Sequence, residues 1–574
     1  MPLRQRQEIQ ALPRILTDVA VTPDPYDPVP TFWDRHSSLG APVAAGILTA
    51  FLLVVSFPPF HAPECAYCFL VPGLLWAYLR PRLKVYAWTL LAAQAVGWTI
   101  NLSWLHPVTW VGLFLLGPIV GAWTGTWFLA AWWAAPRMVG KPVIVRLVAM
   151  LGLAGTWVLI EWTRTWLLGG FPWMPLAATQ WERIGVLQIA AYTGAAGVSF
   201  VIVSVNVAFA AYVNRLFREG SVGLGRRSQE FLLAMFMLLV CLSVLVTETA
   251  QRSRYTVPFA NVAFVQPYIP AAVKWDQAKA PEIIRTLEDT TLEAARLHPD
   301  LILWPESTTP YALRGGDASM PRFVEQLSAR SRAPMLVGAD AIEHLASGKD
   351  AYFNAAFVID PEQGVQPAYY AKRKLVQFGE YVPLRPLLGW IGKFAPIGDD
   401  DFTPGSDSSP LVVPMERGAA AFGVLVCYED LFPALAREEV LSGADALVVL
   451  TNDAWYGEGA AAYQHAAHSV LRAVETRRPV LRCGNGGWSG WIDEFGNIRR
   501  VMTNEDGSIY YRGTALAKVT RDQRWIGRNS FYVEHGDWFV LACACVASLA
   551  ISLLGLSGVA PQAPAESAPW PAKP

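Results

Sequence analysis

Charged residues are scarce in this chain. They make up 16% of its 574 residues, where a soluble domain carries about 25%. Neither sign dominates. The net charge of −1 excludes the basic footprint of a nucleic-acid binder. The cysteines (Cys65, Cys68, Cys241, Cys427, Cys483, Cys543 and Cys545) show no zinc-ligand spacing, and the histidines do not gather beside them, so no metal or other cofactor is expected. Cys65 and Cys68 have the spacing of a redox pair, but they open an apolar run instead of following a strand, which favours small buried residues. No apolar run precedes residue 39, so no cleavable leader is expected. Residues 1–38, with Arg4, Arg6, Arg14, Arg35 and several prolines, are expected to form a mobile cytoplasmic extension.

Apolar side chains are plentiful, at 53% of the chain with 24 tryptophans. A membrane-spanning helix needs about 17–25 mostly apolar residues. Runs of that kind lie at about 40–58, 66–79, 84–105, 107–135, 144–166, 190–213, 230–248 and 537–556. The second is short, and the fourth is long enough to tilt. Arg80, Arg82 and Lys84, then Arg137, Lys141 and Arg146, then Arg215, Arg218, Arg226 and Arg227 fill every second loop, while Arg183 stands almost alone in the others. This bias predicts a cytoplasmic N-terminus and an outward-facing stretch at 249–536. The expected organisation is a bundle of seven spans at 39–248, a soluble domain at 249–536, an eighth span at 537–556, and a Pro/Ala-rich cytoplasmic tail at 557–574. Within the bundle, Glu161 and Arg164 are three apart on one helix face. They form either a structural ion pair or part of a lipid-headgroup site, next to Gly169-Gly170-Phe171-Pro172-Trp173.

The soluble stretch alternates β-rich and helical segments. Strands are expected at Asn261–Gln266, Leu301–Trp304, Pro334–Gly338, Tyr352–Ile359, Gly423–Val426, Ala446–Leu450 and Pro479–Arg482. Helices are expected at Lys279–Leu297, Pro321–Ser331, Pro433–Leu441 and Ala460–Glu475. This is an α/β pattern with layered sheets. Three reactive side chains stand at or beyond strand ends. Glu306 follows Leu301-Ile302-Leu303-Trp304-Pro305, and a carboxylate beside Trp should have a raised pKa suited to a general base. Cys427 follows Gly423-Val424-Leu425-Val426 and leads towards a helix, where a lowered thiol pKa is expected. Lys372 lies in Tyr370-Ala371-Lys372-Arg373-Lys374, a basic run that continues into apolar Leu375-Val376-Gln377-Phe378-Gly379-Glu380.

At Trp304-Pro305-Glu306, Tyr370 to Glu380 and Cys427-Tyr428-Glu429 the chain resembles the nitrilase (carbon–nitrogen hydrolase) superfamily, and within it the apolipoprotein N-acyltransferases. Lys274-Trp275, Thr451 to Gly457, Gln464-His465, Arg472 to Glu475, Phe57-Pro58-Pro59-Phe60 and Gly170 to Trp173 extend the match. The resemblance implies a polytopic α-helical membrane bundle joined to an αββα sandwich that carries a Glu306, Lys372 and Cys427 triad. It implies that Glu380 and Glu429 orient Lys372 and the site, that Trp275 and Tyr456 line the cleft, and that Lys372 and the Tyr428 backbone N–H hold an oxyanion. The apolar segment Pro383–Pro396, with Trp390 and Phe394, is expected to be an arm that touches membrane lipid. The implied reaction moves an acyl chain from a phospholipid, phosphatidylethanolamine by resemblance, through a Cys427 thioester to the N-terminal diacylglyceryl-cysteine of an apolipoprotein. The site would face the periplasm from the inner membrane. A membrane-anchored amidase, or a lipoprotein-binding scaffold with a dead site, are the competing readings. Gln377, Tyr268, Gly484 and Gly486 depart from the residues usual in the family (Pro, Asn and two Thr).

Overall fold

The computed structural model describes residues 32–60, 62–218, 228–274, 276–345, 348–389, 401–416 and 418–556, without the side chains of 32–39, 217–218 and 388. Residues 1–31 of the expected extension, the tail at 557–574, Trp275, Trp390 and Phe394 lie outside the described residues.

The bundle is built from α1 (Phe32–Ser56), α2 (Val71–Tyr78), α3 (Leu83–Asn101), α4 (Trp110–Gly125), α5 (Trp127–Met138), α6 (Val143–Thr163), α7 (Ala195–Arg218) and α8 (Gln229–Thr249). The stretches at Trp110–Met138, Val143–Thr163, Ala195–Leu216, Gln229–Tyr255 and Trp538–Leu556 are long and apolar enough to cross a membrane. The expected span at 66–79 is not one continuous helix. A 3-10 turn at Pro63–Tyr67 precedes α2, whose length gives only about 12 Å of rise against the ~30 Å hydrocarbon core. Its apolar side chains serve burial inside the bundle: Leu74 and Ala77 are buried completely. α1 starts at Phe32, ahead of the expected boundary near 40.

The second part holds two six-stranded sheets. In chain order the strands are β1 (Thr256–Gln266), β2 (Leu301–Trp304), β3 (Met335–His344), β4 (Asp350–Asp360), β5 (Gly364–Ala371), β6 (Leu411–Val413), β7 (Ala420–Val426), β8 (Ala446–Thr451), β9 (Val480–Gly484), β10 (Gly490–Ile492), β11 (Ile498–Val501) and β12 (Gly513–Asp522). One sheet runs β12-β1-β2-β3-β4-β5 and the other β11-β10-β9-β8-β7-β6. Each has a parallel centre, β1-β2-β3 and β7-β8-β9, with antiparallel flanks.

Side-chain alternation explains the layering. Phe264, Leu303, Leu336, Val424, Val448 and Leu481 pack between the sheets. Their neighbours Val265, Ile302 and Val337 face outward, beneath α9 (Ala280–Ala295) and α10 (Ser319–Ser331). On the far side, α11 (Pro433–Leu441) and α12 (Ala460–Thr476) cover the second sheet. The result is the expected αββα order. α13 (Trp538–Leu556) then packs along α6.

α12 has an unusual environment. From Gln464 to Thr476 it is buried on every side, between β9 and bundle residues near Leu176–Gln180 and Ala190–Thr193. Some of its polar side chains bond to the bundle. Gln464 Oε1 accepts from Trp104 Nε1 at 2.9 Å and Trp173 Nε1 at 2.8 Å, while its amide donates to the Pro58 and Asn101 carbonyls at 2.8 and 3.1 Å. Glu475 Oε1 accepts from the Ala195 N–H at 2.8 Å, which places an anion at the N-terminus of α7.

Candidate active site

The three residues singled out in the sequence meet where strands of the two sheets end together. Glu306 lies just past β2 and Lys372 just past β5, both in one sheet; Cys427 lies just past β7 in the other. Lys372 Nζ donates to Glu306 Oε1 at 3.2 Å and to Glu380 Oε1 at 2.8 Å. The buried Cys427 thiol lies within reach of the charges of both Glu306 and Lys372. Lys372 is 1% exposed, Glu306 and Cys427 7% each, so water weakens these contacts little.

The backbone is shaped for this meeting. Cys427 has φ +53°, a left-handed conformation that costs a residue with a side chain about 1–3 kcal/mol and turns it sharply off the strand. On the facing sheet, Gly338 of β3 lets the chain at Glu306 come close. A Cβ there would lie 2.2 Å from the Pro305 carbonyl oxygen and 2.8 Å from Glu306 Cα.

Two expectations about charge are reversed. Trp304 points away from the site and donates from Nε1 to Thr291 of α9 at 3.0 Å. Burial pushes the Glu306 carboxyl up, but the Lys372 ammonium, the Asn354 amide, the Cys427 thiol and Lys274 outweigh it and leave Glu306 below its ordinary value. Cys427 is not a lowered thiol. Burial raises it well above its ordinary value, and the Glu306 carboxylate adds to this. Burial also works against the charge of Lys372, but Glu380 and Glu306 hold its proton far into the alkaline range. At neutral pH the site therefore holds a thiol, a carboxylate and an ammonium, with the carboxylate placed to accept the thiol proton.

The supporting carboxylates differ in what they hold. Glu380 accepts from Lys372, from Asn354 Nδ2 at 3.1 Å and from the Val376 N–H at 2.8 Å. Glu429 does not touch the Lys372 side chain. It accepts from the Arg373 and Lys374 N–H groups at 2.6 and 3.0 Å, the Val426 N–H at 2.7 Å and the Tyr370 hydroxyl at 2.8 Å, and so ties the chain after Lys372 to the chain before Cys427. Asn354, absent from the sequence reading, donates to Glu306 Oε1 at 2.7 Å. Its signal was a lone amide in the middle of the apolar run Tyr352–Ile359.

The bundle supplies a wall of the site. The Tyr428 hydroxyl donates to the Gly170 carbonyl at 2.9 Å, and Phe171 stacks on the Tyr428 ring. Tyr456 packs edge-on against Trp104, with ring centroids 4.7 Å apart, and Trp104 packs on Trp173 at 4.5 Å. Gln377 donates from Nε2 to the Leu168 carbonyl at 2.8 Å, a bond that the usual Pro could not make. Glu161 and Arg164 share no hydrogen bond or close ion pair with each other. Glu161 accepts from the Leu176 N–H at 2.6 Å, and Arg164 donates to the Phe171 and Trp173 carbonyls, so both shape the loop behind Tyr428.

A second polar group that the sequence reading assigned no role lies beneath Cys427. His465 of α12 donates from Nδ1 to Asp453 Oδ1 at 2.8 Å, and its Nε2 lies 3.2 Å from the Cys427 carbonyl oxygen and 3.1 Å from Asp430 Oδ1. Arg482 of β9 bridges the two carboxylates, at 2.9 Å from Asp430 and 3.2 Å from Asp453.

Comparison with known proteins agrees with this architecture. Residues 49–208 match the family model of the apolipoprotein N-acyltransferase N-terminal domain, and residues 261–535 match the carbon–nitrogen hydrolase model. The apolipoprotein N-acyltransferase of Geobacter metallireducens is 33% identical over 69% of this chain and 72% of its own length. That of Brucella melitensis is 31% identical over 71% of this chain and 77% of its own. Among solved structures, a mutant of the Nesterenkonia AN1 amidase from the nitrilase superfamily aligns with 48% of this chain and 94% of its own, at 16% identity and a TM-score of 0.34. An apolar helical bundle joined to a carbon–nitrogen hydrolase domain, with both matched in order and relatives covered over most of their length, makes this chain a membrane N-acyltransferase that belongs to the apolipoprotein N-acyltransferase family.

Proposed function

We propose that the chain transfers an acyl chain from a membrane phospholipid to the α-amino group of the N-terminal diacylglyceryl-cysteine of apolipoproteins, through a thioester on Cys427. The observation that best supports this reading is the buried Glu306–Lys372 pair gathered with Cys427 at the strand ends, walled by a bundle loop through Tyr428 and Gly170. A hydrolase acting on small soluble amides has no need of such a wall.

Glu306 accepts the thiol proton as sulfur attacks the ester carbonyl. Lys372 and the Tyr428 N–H hold the oxyanion. When the tetrahedral adduct collapses, the C–O bond breaks and Glu306 returns the proton to the departing lysophospholipid oxygen. In the second half, the lipoprotein amine attacks the thioester, Glu306 takes a proton from nitrogen, the C–S bond breaks, and sulfur recovers the proton. Each half leaves atoms and charge balanced, and no cofactor takes part. Phosphatidylethanolamine is the proposed donor. Apolar walls favour the amine over water as the second acceptor.

The proposed setting is the inner membrane, with both termini cytoplasmic and the sandwich on the periplasmic side. The broken segment Pro63–Leu79 would count as a crossing in this scheme: Glu64 at its start pairs with Arg183 at 3.1 Å, and Arg80 at its end joins the Arg82 and Lys84 group. Purified protein incubated with labelled phosphatidylethanolamine and a diacylated lipopeptide tests the reading. It should form a labelled Cys427 adduct, lost in Cys427→Ala, and pass the label to the peptide amine. Hydrolysis without transfer, or a labelled enzyme that survives Cys427→Ala, overturns it.

A further inference from the structure

The buried group beneath Cys427 has no part in the scheme above, yet it touches the nucleophile's own peptide. Both ring nitrogens of His465 face acceptors only. Nδ1 meets the Asp453 carboxylate, and Nε2 meets the Cys427 carbonyl oxygen and the Asp430 carboxylate. Neutral imidazole carries one N–H; satisfying both sides takes two, so the ring is an imidazolium. Two carboxylates, Arg482 and this ring then form a closed set with no net charge, and all four side chains are 1% exposed or less. Removing one charge from such a set strands the others.

The peptide between Cys427 and Tyr428 gives the set its consequence. A trans peptide is planar, with its C=O and N–H pointing in opposite directions. An imidazolium that grips the Cys427 carbonyl from below therefore aims the Tyr428 N–H the other way, towards the strand ends where Glu306 and Lys372 lie. A charged donor on the carbonyl also strengthens the N–H of the same peptide as a donor, because hydrogen bonds in series polarise one another. The same grip holds Cys427 at its positive φ, which nothing in a cysteine side chain favours.

We propose that His465 is a positioning residue for acyl transfer: as an imidazolium braced by Asp430 and Asp453, it fixes the Cys427–Tyr428 peptide so that the Tyr428 N–H meets the developing oxyanion. The inference rests on the thioester reading above. The charged or titratable groups facing the ring are Asp430 beyond β7, Asp453 beyond β8, Arg482 on β9, and His468 one turn along α12. His468 is neutral, since its Nε2 accepts from the Met174 N–H at 3.2 Å. Burial and Arg482 press the His465 proton off, but Asp430 and Asp453 prevail and raise the ring to about 9. Lys372 and Cys427 are both held well above their ordinary values, so the positioning effect should be lost at a lower pH than either of them titrates.

The test is single-turnover formation of the Cys427 adduct by the full-length protein in micelles of labelled phosphatidylethanolamine, from pH 6 to 10. The wild-type rate should fall with a midpoint near pH 9. His465→Gln should form the adduct roughly tenfold to a hundredfold more slowly at pH 7, a loss below or near that of a whole oxyanion donor. Its half-saturating phospholipid concentration should be unchanged and its fall near pH 9 gone. A His465→Gln rate equal to wild type, or a wild-type profile flat to pH 10, overturns the proposal while leaving the thioester intact. The wild-type profile decides the matter even where the variant does not fold. Absence of any Cys427 adduct in the wild type overturns the thioester reading and this inference with it.

Discussion

At the scale of single residues, the active-site group is governed by which neighbour outweighs burial. Glu306, Lys372 and Cys427 are all buried, yet Glu306 keeps its charge because a cation and an amide stand within 3.2 Å. Cys427 keeps its proton because burial disfavours the thiolate and the Glu306 carboxylate adds to this, with Lys372 opposing. Asn354 therefore has a measurable role. Removing its amide in Asn354→Ala takes away one of the groups that hold the Glu306 carboxyl below its ordinary value. A base needed in its ionised form loses activity as pH falls through its pKa. The acid limb of adduct formation should lie below the ordinary glutamate range of about 4.3 in the wild type and move upward in Asn354→Ala. The adduct rate measured from pH 3.5 to 7 checks this; a limb that stays in place argues against the role of the amide. The three reactive residues were legible in the sequence because each interrupts or ends an apolar run with a group that a strand would not bury without purpose. The signs of the Glu306 and Cys427 shifts were not legible. They depend on Asn354 and Lys372, which reach Glu306 across 48 and 66 residues, and on the way Trp304 turns.

At the scale of elements, legibility followed burial. The central strands β1, β2, β3, β4, β7, β8 and β9 read as apolar runs because both faces are covered. β5 and β12, at the edges of one sheet, did not. β5 carries Pro367, which edges tolerate, and β12 mixes buried with half-buried positions. β6 and β10 are three residues each, too short for any pattern. In the bundle, apolarity alone does not show where a segment breaks, which is why α2 and its preceding turn read as one continuous helix. The buried helix α12 shows the opposite problem, since its polar residues face protein on all sides. Gln464→Leu tests that packing. Two indole N–H groups and two carbonyls would lose their partner, each loss costing about 1–3 kcal/mol if it stays unsatisfied. Thermal unfolding of the detergent-solubilised variant should show an apparent Tm several degrees below wild type; an unchanged Tm would mean that the bundle and α12 do not depend on these bonds.

At the scale of the whole molecule, the arginine and lysine bias remains the main guide to orientation. Cysteines placed at Arg82 and Lys141 should resist a membrane-impermeant maleimide added to intact spheroplasts. One placed at Arg183, which is 48% exposed at its side chain, should react. Labelling in the reverse pattern would invert the assigned sides. The two parts meet through directed bonds as well as ring contacts: Tyr428 to Gly170, Gln377 to Leu168, Gln464 to two tryptophans and two carbonyls, and Glu475 to the start of α7. Of these, the Tyr428 hydroxyl has the widest consequence. It is anchored in a membrane loop, and its own backbone adjoins the nucleophile. Residues 249–536 cut free as a soluble fragment could keep every side chain of the triad and still be a different catalyst, because the anchor would have stayed behind in the membrane.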